Sequence, residues 1–453
     1  MRKMKRLVWF RRDLRVEDNP ILSFDGEVLP LFIFDVNILS KLELDDRRVS
    51  YIFNCVLKLK QDLQMINLDL KVFYGDPIAI IEQLQKIHPF DEVIASGDYD
   101  SYAKDRDKKV SHILPFRYLQ DTYIFKHNDV LKDDGSTYYV FTPFYKKALK
   151  ILEKKSIEKV TIGTLNLINE DYEGMFRLEN NSFIKVDITL KNLGFIEQAL
   201  ELTSPKLKVE AFKKQLHSYK EKRDFLNSDV ASNLSADLRF GIIGIRELLR
   251  TFLSLENSEA FIRQLIFRDY YAYLLFHIPS LESENYKYSF NGIEDAQKYK
   301  IFCQAKTGIP IVDAGIRELL TTGNMHNRVR MVVASFFTKD LLLPWQWGEK
   351  FFAQHLLDYD KASNVLSWQW SAGTGVDPQP YFRVFNPYLQ SKKFDKDAQY
   401  IKKYCPELTD VDARKIHDES YLLSNTIKGY PQPMIQSHKL AAKEAIEAFK
   451  NFN

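Results

Sequence analysis

Two folds in series are predicted from this chain: an α/β doubly wound parallel sheet, then an all-α domain. Three observations predict them. Short apolar runs alternate with helical spacing through roughly the first 130 residues. Strand-like alternation nearly disappears after Lys206. At 453 residues the chain also exceeds the size at which a single core stops growing, so two domains are expected. The boundaries are set at 1–135 for the sheet domain, 136–205 for a connector and 206–453 for the helical domain.

In the first domain, Leu7–Phe10, Val28–Phe34, Leu70–Phe73 and Val93–Ala95 read as buried parallel strands. Val49–Met65 has helical apolar spacing and is expected to cover one face. After the first strand stands Trp9-Phe10-Arg11-Arg12-Asp13-Leu14-Arg15 instead of a GxGxxG turn, which argues against a dinucleotide held there by the Rossmann route. The connector is irregular, with polar runs such as Asn180-Asn181-Ser182, and is expected on the surface. Beyond it, Ile242–Leu253, Ala260–Leu275, Pro310–Thr321, Val329–Leu343 and Phe351–Tyr359 have helical period or length.

Composition narrows the function classes. Apolar content of 45% and charge of 28% are those of a globular protein, and a net charge of +3 offers little long-range steering toward nucleic acid. Three cysteines (55, 303, 405) without CxxC spacing argue against a disulfide framework and against zinc or iron–sulfur ligation. The basic head MRKMKRLVWF is interrupted by Arg11, Arg12 and Asp13, so it does not read as a signal peptide. No apolar run approaches the ~20 residues of a membrane helix. A cytoplasmic location is expected.

Chemistry-bearing residues concentrate between Lys306 and Asn386, which holds four of the five tryptophans (345, 347, 368, 370). In Met325-His326-Asn327-Arg328-Val329-Arg330-Met331, Asn327 and Met331 share a helix face. A thioether suits flat rings, an amide can read a base edge, and arginine can hold phosphate bidentately. The plainer reading is a capped helix start with surface arginines. Trp368 and Trp370 point in different directions and read either as core or, with Trp345, as a chain of indoles for electron hopping. Asp358 and Asp360, followed by Ser363 and Asn364, read as helix caps or as ligands for ribose hydroxyls or a flavin edge.

Taken in order, these stretches resemble the photolyase/cryptochrome family. LVWFRRDLRVEDNP looks like the family's N-terminal signature, and the resemblance continues through YGDP, VFTPF, LIFRDYY, KTGIPIVDAGIREL, MHNRVRM, WQW and YFRVFNP to CPEL. It covers nearly the whole chain. It implies an α/β antenna domain, a helical domain holding FAD, and light-driven electron transfer from reduced flavin to a pyrimidine dimer flipped out of DNA. MHNRVRM is similar to class I cyclobutane-dimer photolyases. Six-four photolyases and animal-type cryptochromes carry a second histidine where Asn327 stands. The alternative implied by the same resemblance is a blue-light photoreceptor without repair activity.

Residue by residue, the resemblance implies cofactor binding by Tyr219, Ser232, Leu234, Ser235, Arg268, Arg330, Asp358, Tyr359, Asp360 and Asn364. Asn364 would face the flavin's N5 edge, and Trp368 and Trp345 would relay electrons. DNA and the dimer would meet Gln264, Phe267, Tyr271, Asn327, Arg328, Met331, Trp370 and Gln390, with Gln264 also in a catalytic role and Arg268 on a phosphate- or DNA-contacting position. No metal is implied. Three departures stand out: Gln264 and Phe267 replace the usual Glu and Trp, and Phe290 stands where the outermost tryptophan of the relay belongs. Tyr286, Tyr288 or Trp347 is left as a candidate terminal donor. The Asn-Glu pair of folate-type members reads Tyr102-Ala103, and DYDSYAKDRD looks more like deazaflavin binders, so the identity of a second antenna chromophore stays open. The expected partner is dimer-containing DNA, met by a monomer without membrane attachment.

Overall fold

The computed structural model describes residues 4–154, 156–200 and 202–451. The chain divides into two compact units: residues 1–137, 144–211 and 232–277 make the first, and 138–143, 212–231 and 278–453 the second. The helical region expected over 206–453 is thus shared, because Ser232–His277 clusters with the sheet.

The first unit is built on one sheet. Its strands are β1 (Lys5–Phe10), β2 (Gly26–Asp35), β3 (Lys71–Gly75), β4 (Glu92–Ser96), β5 (Phe116–Leu119), β6 (Leu165–Leu167), β7 (Met175–Glu179) and β8 (Ser182–Val186). The order is β5-β4-β1-β2-β3-β7-β8, with β6 also pairing β2. Every pairing is parallel except the β7–β8 hairpin. The segment expected to be a surface connector, 136–205, therefore supplies three strands to this sheet. These strands are only three to five residues long and mostly half-exposed, so they carry little apolar signal.

A proline inside a central strand normally costs a ladder hydrogen bond. Pro30 escapes this by position: β2 pairs β6 through Gly26–Val28 and β3 through Leu31–Asp35, so Pro30 falls in the gap between the two partners. The sheet core gathers Leu7, Trp9, Leu31, Ile33, Phe73, Ile81 and Val93, which makes Trp9 a packing residue. Helix Arg47–Gln64, capped by Asp46, buries Val49, Val56, Leu59 and Leu63 as its spacing predicts.

The second unit is helical. Pro310–Thr322 packs on Asn327–Ser335 where Gly315 meets Val329 and Val333. The helix predicted over Val329–Leu343 is shorter than expected: it ends at Ser335 and continues as a π-helical turn, Phe336–Asp340. That turn is fixed by tertiary contacts. Lys339 Nζ donates to Ala372 O at 2.6 Å, and Asp340 Oδ1 lies 2.6 Å from His438 Nδ1. The helix predicted over Phe351–Tyr359 runs instead from Trp345 to His355. Among the described residues no helix is long and apolar enough to cross a membrane.

Candidate functional site

In the second unit, His326 caps the helix Asn327–Ser335 by accepting from Arg328 N at 3.2 Å. Asn327 and Met331 share its outward face, with Asn327 Nδ2 3.8 Å from Met331 Sδ. The two arginines are not ordinary surface residues. Arg328 pairs with Asp224 at 2.9 Å, and its guanidinium lies 4.5 Å from the Phe394 ring centre. Its Nε is buried without a partner among the described residues. Arg330 reaches Asp358 at 3.0 Å and donates Nε to Met325 O at 2.8 Å.

Of the two aspartates open to a capping reading, Asp360 is a cap. Its Oδ1 accepts from Ser363 N and Ser363 Oγ, both at 3.1 Å, and so starts the helix Lys361–Ala372. Asp358 lies outside that role, beside Arg330. Asn364, one turn into the helix and 7% exposed, donates Nδ2 to Glu349 O and Oε1, each at 3.0 Å. The Tyr359 hydroxyl donates to the same Glu349 oxygen at 3.4 Å. Burial pushes the Glu349 carboxyl above its usual range. The amide of Asn364 is thus oriented by a residue on another helix, and Glu349 went unnoticed because no motif marks it.

Trp368 is 1% exposed and held between Phe337 at 5.4 Å and Phe352 at 4.9 Å, both edge-on. Gly348 lies against the indole, where a Cβ would come within 2.2 Å of the ring, so only glycine fits there without a shift. The Trp368 N–H is buried and has no partner among the described residues. Trp345, by contrast, donates its N–H to Asn285 Oδ1 at 2.8 Å. Trp370 is half-buried, edge-on to Phe385 at 6.5 Å. Gln390 Oε1, on the helix Pro387–Phe394, is a further buried acceptor without a partner. Tyr219 packs edge-on against Phe212 at 5.2 Å.

In the first unit, Gln264, Phe267, Arg268 and Tyr271 form the half-buried stripe of the helix Glu259–His277, at the three- and four-residue spacing of one helix face. Phe267 meets Tyr271 edge-on at 4.8 Å. Arg268 donates Nη1 to Thr122 O at 2.6 Å and stacks over Tyr123 at 4.4 Å, while its Nη2 is buried without a partner among the described residues. Leu234 is buried, Ser232 is half-buried, and Ser235 opens the helix Ser235–Phe240. At the carboxyl ends of the strands, Tyr102 donates to Asp35 Oδ2 at 2.6 Å and Arg106 lies 4.8 Å over Trp9.

These arrangements suit a large polar cofactor. Burying a donor without a partner is costly, and native structures rarely leave one so. In the first unit, the donor left open on Arg268 suits an anionic group such as a phosphate. Among the described residues no group of His, Cys, Asp and Glu could hold a metal ion.

The chain as a whole is similar to known proteins. A family model described as DNA photolyase matches residues 6–161, and one described as the FAD binding domain of DNA photolyase matches 261–451. The chain is 34% identical over 478 residues to a deoxyribodipyrimidine photo-lyase of Alkalihalophilus pseudofirmus, covering 98% of this chain and 97% of the relative. A bacterial class III photolyase from Agrobacterium tumefaciens superposes with a TM-score of 0.81 at 28% identity, covering 100% of this chain and 98% of that one. An archaeal photolyase from Sulfolobus tokodaii, described with two FAD molecules, gives 0.81 at 28% identity, covering 99% and 100%.

Proposed function

The chain belongs to the DNA photolyase family, and we propose that it uses light to split cyclobutane pyrimidine dimers in DNA, with FAD as its cofactor. The observation that carries this reading is the outward pair Asn327–Met331, an amide and a thioether on one helix face. A flipped dimer offers the two surfaces such a pair recognises, base edges for hydrogen bonding and flat rings for sulfur contact. When bound, reduced FAD would supply the light-driven single electron that opening of the cyclobutane ring needs.

The chain's own residues bind, orient and exclude water. Arg328 meets a phosphate by exchanging it for Asp224, which is partly exposed and leaves little to desolvate. Phe267 and Trp370 supply ring faces to the extruded bases. Gln264 offers both a donor and an acceptor, but it cannot move a proton as a carboxyl group would. Arg268 holds a phosphate with the donor left open beside Thr122. Glu349 keeps the Asn364 amide in one orientation toward the ring system it faces. Tyr219, Ser232, Leu234, Ser235, Arg330, Asp358, Tyr359 and Asp360 complete the cofactor set. A second chromophore on the sheet unit, of deazaflavin or folate type, belongs to the same proposal.

Purified protein with fully reduced flavin, mixed with ultraviolet-damaged oligonucleotide, should remove dimers under blue light and not in darkness. Retention of the dimers under blue light would overturn the reading and favour the sensing alternative, toward which the Gln264 and Phe267 replacements lean.

A further inference from the structure

A buried one-electron cofactor must be recharged from outside, and the ring at the position of the third relay indole is unsuited to that. Phe290 is a phenyl group, far harder to oxidise than an indole or a phenol, and it is buried against Phe449 at 5.0 Å. A different exit is laid out elsewhere in the second unit. Phe337, which meets Trp368 at 5.4 Å, also lies 6.2 Å from Tyr299. Tyr299 in turn lies 5.2 Å from Trp347. One turn further along the helix Ala296–Cys303, Cys303 stands four residues from Tyr299 and on the same helix face. Tyr299, Trp347 and Cys303 are all half-buried, so they reach both the interior and water. An indole, a phenol and a thiol, the three readily oxidised side chains, thus meet at one outward-facing place, separated from Trp368 by a single ring.

We propose that Tyr299, flanked by Trp347 and backed by Cys303, is the terminal electron donor through which light-driven reduction of the cofactor is completed. The proposal rests on the reading of the helical unit as an FAD carrier. Trp368 gives one electron to the light-excited oxidised flavin and is refilled by one electron from the Trp347–Tyr299 pair. Tyr299 then releases its hydroxyl proton to water and is left as a neutral phenoxyl radical. The Cys303 S–H bond breaks as the phenolic O–H bond re-forms, moving the radical to sulfur. An external thiol reductant restores Cys303 by giving up a hydrogen atom.

The test is transient absorption and electron paramagnetic resonance on the flavin-loaded protein with an added thiol, comparing wild type with Y299F, C303S, Y286F and Y288F. In Y299F the steady-state photoreduction rate should fall roughly tenfold, equivalent to about 1.4 kcal/mol of barrier. The transient side-chain radical should change from tyrosyl to tryptophanyl, with flavin content unchanged. C303S should keep the tyrosyl signal and lengthen its life. An unchanged rate in Y299F, or a tyrosyl signal lost in Y286F or Y288F instead, overturns the proposal. Should Y299F not fold, an unchanged tyrosyl lifetime in C303S overturns it. Dimer removal by chemically reduced protein is scored in parallel: its failure in wild type strikes the functional reading, whereas its survival in Y299F with slowed photoreduction isolates the electron exit.

Discussion

Arg11, Arg12 and Arg15, just past β1, and Arg328 and Arg330, at the start of the helix Asn327–Ser335, are two arginine clusters that use carboxylates in opposite ways. In the first, each guanidinium meets an aspartate: Asp107 for Arg11, Asp98 for Arg12 and Asp121 for Arg15, all within 2.7 Å. Arg11 also donates to Ser96 O, and Arg15 to Gly241 O at 3.0 Å. These side chains are almost wholly enclosed; burial works against the charge on Arg11 and Arg15, and Asp107 and Asp121 more than offset it, so both guanidinium pKa values are raised. In the second cluster one member of each pair is more open: Arg328 is 17% and Asp224 36% exposed, Arg330 26% and Asp358 10%. Open switch points at the carboxyl ends of strands usually hold ligands. Here the ends of β1 and β4 are tied together by arginine pairs, while each pair of the second cluster leaves one member partly open to solvent.

The largest effect should come from breaking the enclosed cluster. Removing one partner of a buried ion pair costs about 3–5 kcal/mol when the other charge is left uncompensated, and Arg246, 3.2 Å from Asp121, offsets only part of that here. Arg15→Met should therefore lower the denaturation midpoint severely, and Asp121→Leu added to it should recover part of the loss. If Arg15→Met is as stable as wild type, the contrast between the clusters disappears.

A smaller effect, of a different kind, is expected at Arg328. Its pair with Asp224 is partly solvated, so Arg328→Ala should change stability by less than about 1 kcal/mol. Losing a charge-assisted phosphate contact should weaken binding to dimer-containing DNA by about 1.5–3 kcal/mol. The slope of log affinity against log salt should also shrink by about 0.9, one phosphate's worth, as fluorescence anisotropy at several salt concentrations would show. An unchanged slope would mean that Asp224 keeps Arg328 as a structural tie.

The two clusters also mark what was legible in the sequence. Strands β1 to β4 were, because each is a continuous apolar run buried on both faces. Strands β6 to β8 were not: short and half-exposed, they are set by their pairing with β2 and β3. The π-helical turn at Phe336–Asp340 was invisible because Lys339 and Asp340 look like surface charges until Ala372 and His438 are brought to them. The same limit applied to the site. Asn327 and Met331 share a face by spacing alone. The residues that hold the others lie far off in sequence: Asp224 about a hundred residues before Arg328, Asn285 sixty before Trp345, and Glu349 fifteen before Asn364. Local pattern reveals what one helix presents, and only the fold reveals what holds it in place.

The smallest expected effect tests that last point at Met331. Its side chain is half-buried, with its sulfur toward Asn327 and its flank open, and it carries no charge for the fold to satisfy. A thioether against a flat ring contributes about 0.3–1.5 kcal/mol. Met331→Ala should therefore weaken binding to dimer-containing oligonucleotide by a few-fold, leaving affinity for the undamaged sequence and its salt slope as they were. Met331→Leu keeps the volume and removes the sulfur; if it binds dimers as wild type does, shape rather than polarizability is what the thioether supplies. Equal losses on damaged and undamaged DNA would remove Met331 from dimer recognition and leave Arg328 to account for binding by charge alone.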